Sequence, residues 1–192
     1  MMNRRKFVTI PAALLMTAAL AACTTTGNHA SGSNTNKRQE LNSGADTTLS
    51  RLYSSVPGSR EMGNKAKGIL VFPNVLAAGF MFGAEYGQGV LQVGGTPSGY
   101  YSTTTGSFGL QAGAQSKAVI IMFMTQGELD KFRNSSGWTA GADASVALAK
   151  IGANGAVDTN TARQAVVAFV LTNAGLMANL TVEGTKINKL DL

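Results

Sequence analysis

The sequence is short of the residues that carry most enzyme chemistry. It has one cysteine, Cys23, one histidine, His29, and one tryptophan, Trp138, among 192 residues. One cysteine forms no disulfide within the chain, and one histidine with one cysteine leaves out the usual zinc sets and Cys/His nucleophile pairs. Neither a G-x-S-x-G elbow nor a Walker-type G-x-x-x-x-G-K-[ST] occurs. Charge is also scarce, at 14% of residues. Of the formal +6, Arg4, Arg5 and Lys6 supply three of the 16 basic residues and none of the 10 acidic ones, which leaves 13 against 10, or +3, for residues 23–192. So mild a balance provides no dense basic stripe for nucleic acid, while an anionic membrane surface stays open.

Glycine is plentiful instead, at 23 residues, beside 44% hydrophobic residues, a composition for a compact β-rich domain. Its centre is the stretch 66–93. Ile69-Leu70-Val71-Phe72 is a short apolar run bounded by Gly68 and Pro73, which reads as a buried strand. A turn is expected at Pro73-Asn74. Extended segments then resume at Gly79–Ala84 and Gly89–Val93, separated by the Gly-dense Glu85–Gln88. A G-x-x-x-G-A pattern occurs at Gly79, Gly109 and Gly137. Polar neighbours and short apolar runs favour strand glycines over a membrane helix pair, marking bends or close approaches of backbone.

Residues 1–22 have a charged front, an apolar middle from Phe7 to Leu20 and small residues at the end, the plan of a secretory signal peptide. The apolar part is shorter than a comfortable membrane span of about 20 residues. Leu20-Ala21-Ala22-Cys23 resembles the lipobox of bacterial lipoproteins. That resemblance implies cleavage before Cys23, a diacylglycerol on its thiol and acylation (palmitate) of the new amino group. Thr24 rather than Asp follows, which by the same resemblance points to the outer membrane. Residues 23–45, rich in Thr, Ser, Asn and Gly, are expected as the lipidated cysteine and a flexible tether, with His29 solvent-exposed.

Residues 46–192 form the expected domain. Leu49, Leu52, Tyr53 and Val56 recur at helical spacing behind Asp46, with a stop at Pro57-Gly58. Arg60, Lys65 and Lys67 cluster before the first strand, either as a solvated face or as a phosphate-binding surface. A hairpin turn is expected over Gly94–Gly99. Lys117–Met124 is the most apolar run of the domain and predicts a central strand buried on both faces. Thr125 and Glu128 predict a capped helix over 125–133. Residues 142–151 lean to strand, and 164–171 with 176–182 predict a closing hairpin followed by a basic tail carrying Lys186 and Lys189. The fold class expected is α+β, predominantly antiparallel β in a sandwich or barrel-like body, with two or three short helices.

The segments Ala66–Pro73, Ala78-Gly79-Phe80 with Gly83, Tyr86–Leu91, Gly109–Ser116, Gly175-Leu176 and Leu180–Thr185 together resemble the SYLF domain, a family of lipid- and actin-binding modules. The resemblance covers about residues 46–188. It implies a lipid-binding role. Eukaryotic members bind phosphoinositides with the help of a basic amphipathic N-terminal helix, and fungal members also bind actin. This sequence departs there, because only Arg51 is basic on the expected helix.

The leading expectation is a non-catalytic envelope lipoprotein, anchored to the membrane through Cys23, whose domain takes a phospholipid without metal or cofactor. The contact surface expected combines Phe80, Phe82, Tyr86, Tyr100 and Trp138 for acyl chains with Lys65, Lys67 and Lys117 for phosphate. The alternative is a structural or interaction protein of the envelope, or an actin-binding-like scaffold, with no lipid pocket. Glu85, Asp143, Asp158 and Glu183 are the acids in the core that could converge on a cation or form an acid/base pair, against the commoner role of solvated carboxylates.

Overall fold

The computed structural model describes residues 29–152, 156–177 and 182–192, with side chains outside 29–31, 78–82 and 107–115. It is a mixed α+β fold of mostly antiparallel strands, curled into a half-barrel.

The first element corrects an expectation. Helix α1 spans His29–Ser55, so the polar residues 29–45 are helical rather than a flexible tether. The physical reason lies in Leu41, Ala45, Thr48, Leu49, Leu52 and Val56, which recur at three- and four-residue steps and are all buried. The docking stripe thus begins inside the polar stretch. The described side chains ahead of Leu41 are exposed or half-buried. Pro57 and Gly58, with φ of 85° at Gly58, turn the chain into the short α2 (Ser59–Lys65).

Two long strands follow, β1 (Gly68–Val93) and β2 (Thr96–Phe123), paired antiparallel along their whole length. The turn between them is only Gly94-Gly95, with φ of 58° and 78°, the two positive values of the tight hairpin turn that suits twisted strands. Residues 96–99 already belong to β2. Pro73 does not turn the chain either. It is carried through a register shift between Phe72 and Val75, a position at the sheet edge where a missing N–H costs no ladder bond. Glu85–Gln88 also stay in the strand, so the three segments expected here are one.

β1 nonetheless folds back on itself. A methyl group at Gly87 would lie 2.8 Å from Val75 Cγ2, and one at Gly89 would run into the Val71 carbonyl oxygen and the Phe72 ring. Only glycine lets the two halves of β1 pass so closely. Between these feet the ribbon leaves the body as an arch, residues 76–86 of β1 paired with 104–116 of β2. Between the pairs Gly79↔Gly113 and Met81↔Gly109, one residue of β1 faces three of β2. β2 therefore takes the longer, outer path around the bend. The first two G-x-x-x-G-A copies cross each other here.

The free edge of β2 is filled in two separate places. Strand β5 (Val166–Thr172) pairs with residues 118–123, and β7 (Lys186–Leu190) pairs with 100–104. Smaller pieces extend the sheet: β3 (Trp138–Thr139) against β7, β4 (Ala147–Leu148) parallel to β5, and β6 (Gly175–Leu176) returning on β5. The expected basic tail is thus strand β7, and the strand expected over 142–151 shrinks to β4. The closing hairpin is present as β5–β6, while 178–181 lie outside the described residues. Helix α3 (Gln126–Asn134) starts as expected, with Thr125 Oγ1 accepting from Glu128 N–H at 3.4 Å. The Glu128 carboxylate turns to Lys131 instead of closing the capping box. A one-turn α4 (Thr159–Ala162) precedes β5.

Burial follows the two-residue period. On one face Leu70, Phe72, Leu91, Val119, Ile121 and Phe123 pack with Leu129 and Phe132 of α3 and with Trp138. On the other Val71, Val90, Ile120, Met122, Val167 and Phe169 pack beneath Leu49 and Leu52 of α1 and Val56 just after it. The 118–123 segment is buried on both faces, as its continuous apolar run requires.

Gly89→Ala is expected to destabilise the fold by about 1–3 kcal/mol, because its methyl group meets backbone that cannot step aside. Gly127→Ala, in open space on α3, is expected to stabilise by about 0.4–1 kcal/mol. Urea unfolding of both variants measures the difference.

Candidate functional site

Two places on the fold bring polar chemistry against apolar surface. The first is the base of the arch. Lys117 stands at one foot, opposite Val75, and Glu85 at the other, opposite Thr105. Their side chains meet at 2.7 Å while only 11% and 14% exposed. This ion pair ties the outgoing and returning arms of the ribbon together. Beside it Ser116 Oγ donates to Asn74 Oδ1 at 2.6 Å, and Thr105 Oγ1 donates to Thr185 Oγ1 at 2.9 Å. Behind the pair lies a space of about 20 Å³ lined by Phe72, Val75, Val119 and Val182, room for about one water and far too small for an acyl chain.

The second place is a surface cleft of about 510 Å³ between α1, α2 and the Gly94-Gly95 turn. Its apolar floor is Leu49, Ala66 and Ile69, with Tyr53 and Arg60 at one end and Asp46 and Gln92 at the other. The Arg60 guanidinium stacks 4.8 Å above the Tyr53 ring, a cation–π contact. Burial pushes the Tyr53 hydroxyl above the ordinary tyrosine range, and Arg60 pulls it partly back. Gln92 Nε2 donates to Asp46 Oδ1 at 2.9 Å.

The residues expected to share one lipid surface are not brought together. Trp138 is 1% exposed, its ring edge-on to Phe132 at 5.6 Å and to Phe123 at 6.1 Å. It is a core residue, because the strand pair β3–β7 holds it under α3. Lys117 is engaged by Glu85. Tyr100 is half-buried and donates to Asn42 Oδ1 at 3.3 Å, with Arg38 5.9 Å from its ring. Lys65 is exposed and paired with Glu61, whose carboxyl that partner holds below the usual range. Lys67 is exposed at the entrance to β1. Tyr86 is 50% exposed at a foot of the arch, accepting from Gln88 Nε2. The side chains of Phe80 and Phe82, and Cys23 itself, lie outside the described residues.

The acids are equally dispersed. Glu85 faces Lys117, Asp143 Oδ2 accepts from Thr139 N–H, and Asp158 caps α4. Glu183 lies against Gly141. Among the described residues no three His, Cys, Asp or Glu side chains group as metal ligands. Sequence reasoning missed the Glu85–Lys117 pair, which joins residues 32 apart, and the Arg38–Tyr100 contact. The signal for the second was present: Leu41 and Ala45 continue the helical stripe backwards from Leu49.

Residues 104–191, from within β2 through β7, match the family model Ysc84, described as Las17-binding protein actin regulator. That match is consistent with the SYLF resemblance read from the sequence. The resemblance read from the sequence therefore holds over the segments from Gly109 to Thr185, and the Ala66–Leu91 segments precede the matched stretch in the same hairpin. No curated protein matches the chain significantly. The matched region supplies the Lys117 foot of the arch but not Glu85, so the ion pair joins the matched and unmatched parts of the fold.

Lys117→Met leaves the largely buried Glu85 carboxylate without its partner and is expected to cost about 3–5 kcal/mol. Replacing both, as Lys117→Met with Glu85→Leu, is expected to recover most of that loss. Guanidinium unfolding of the two single variants and the double variant measures the coupling.

Proposed function

We propose that the chain is an acylated envelope lipoprotein, outer-membrane-directed, whose SYLF domain contacts phospholipid from its surface. The observation that carries the reading is how far α1 reaches toward Cys23. The described part of the helix includes His29, six residues along the chain from that cysteine, so an anchor there lies within about 20 Å of the helix by chain length alone. Residues 29–40 add about 18 Å of helix before the packed body, which keeps the body within reach of a bilayer. Among the described residues no helix is long and apolar enough to cross a membrane. An anchor of several acyl chains, at about 0.8 kcal/mol per buried methylene, is sufficient to hold the chain there.

Among the described residues the space inside the sheet beside Lys117 is about 20 Å³, too small to swallow an acyl chain there, so the proposed lipid contact is at the surface. A second reading, a protein-interaction module of the envelope without lipid affinity, is favoured by the same small space and by a family description that names a protein partner. Neither reading assigns a catalytic residue, metal or cofactor.

Two measurements test the proposal. Cys23→Ser is expected to abolish labelling by radioactive palmitate and to release the chain from the membrane fraction. The unacylated fragment 24–192 is expected to float with vesicles containing anionic phospholipid at low salt. A fragment that stays at the bottom of the gradient at every lipid composition supports the protein-interaction reading instead.

A further inference from the structure

We infer that the β1–β2 arch is the lipid-facing wedge of this domain, lodging at the headgroup and acyl-chain boundary of the membrane that holds the N-terminal anchor. The inference rests on the lipid-contact reading above and specifies which end of the molecule meets the bilayer.

Three observations converge on the arch. The first is its composition. No charged residue occurs in 76–84 or in 106–116, whereas Glu85 and Lys117 stand at its feet and are tied to each other. Leu76 is 53% exposed and Tyr86 50% exposed at the two arms, and between them the sequence runs through Phe80, Met81 and Phe82. A charge-free stretch of paired strands whose described ends expose Leu76 and Tyr86 fits an interaction site.

The second is its incomplete pairing. Along β2, pairing with β7 stops at Thr104 and pairing with β5 begins at Ala118. Among the described residues the arch is therefore a two-stranded ribbon with both edges open. A bare ribbon does not pass through hydrocarbon, because its unpaired N–H and C=O groups find no water there. The headgroup boundary supplies those partners, so the arch stops at interfacial depth. Eleven residues separate Val75 from Gly87, which at about 3.3 Å per residue gives a reach of roughly 18 Å at the bend, more than the depth of about 5–10 Å to which interfacial elements sink.

The third is direction. Leu49 borders the cleft beside Gly68 and Ile69, whereas Gly44 packs against Pro73 with a distance of 3.0 Å from its added methyl position to Cγ. Asp46 meets Gln92, and farther back Asn42 and Arg38 meet Tyr100, which pairs with Val90. α1 thus runs toward its N-terminus in the direction in which both halves of β1 run toward the arch. Its projecting residues 29–40, about 18 Å of helix, leave from the arch end of the body. The described N-terminal end of α1, the end nearest in the chain to the expected anchor at Cys23, and the uncharged ribbon share one pole, with Lys37 and Arg38 beside them.

The test places an indole in the arch. Phe82→Trp in the full acylated chain, reconstituted into phosphatidylcholine/phosphatidylglycerol vesicles with brominated acyl chains, is expected to show emission shifted to the blue. Bromolipid should quench it at least about twofold more than the buried Trp138 of the unaltered chain. A parallel variant, Phe82→Asp with Leu110→Asp, is expected to lower vesicle partitioning of fragment 24–192 about tenfold. An indole that remains open to aqueous iodide and untouched by bromolipid overturns the inference, as does shielding that rises only with protein concentration, which would assign the arch to a second copy. If the unaltered fragment floats while the indole is not quenched, the arch assignment fails and the lipid reading stands. If the fragment does not float at all, both fall together.

Discussion

Everything in this fold depends on the close passage of two halves of one strand. β1 meets itself where Gly87 lies on Val75 and Gly89 on Val71 and Phe72, and no side chain separates the backbones there. That contact converts a hairpin of 26- and 28-residue strands, which would otherwise extend as a long unsupported ribbon, into a body with an inside. It places Leu70 and Leu91, 21 positions apart in the chain, in one cluster with Phe123 and Leu129. It also presents two separate lengths of β2 edge, which β5 and β7 complete. The ion pair of Lys117 and Glu85 is a consequence of the same passage, since the two residues stand on arms that meet only because β1 doubles back.

The elements that the sequence disclosed are those whose signals are local. The apolar run at 117–124 announces a strand covered on both faces, Thr125 announces the start of α3, and Gly94-Gly95 announces a turn. The elements that it hid are those decided by distant partners. Pro73 reads as a stop because proline breaks ladders, yet at an edge with a bulge the lost N–H has no partner to lose. Residues 29–45 read as a tether because they are polar, yet the helix needs only Leu41 and Ala45 as footholds on the sheet to extend through them. The arch was legible as glycine spacing but not as an arch, since nothing local says that Gly79 faces Gly113.

The candidate site divides along the same line. Residue type does not decide which face a strand residue takes: Trp138 goes to the core while Tyr86, of similar character, stands at the surface. Charge does not decide which lysine is available, and Lys117, only 11% exposed, is consumed by a partner 32 residues away. What survives is the combination of an uncharged stretch and its flanking charges. That pattern was present in the sequence but acquires meaning only once the register shows the two stretches to be arms of one ribbon.

The two-residue turn has a consequence for the order of assembly. Val93 and Thr96 are neighbours across the turn, whereas Gly68 and Phe123 pair over a span of 55 positions. Zipping outward from Gly94-Gly95 brings that distant pair together one rung at a time, so the entropic cost of closing a large loop is replaced by many small ones. The ribbon must pass through its uncharged middle before its feet can meet. During that interval, and after the union of Lys117 with Glu85 has closed its feet, the stretch keeps open edges, which makes it the part of the fold most prone to stick against other nascent chains.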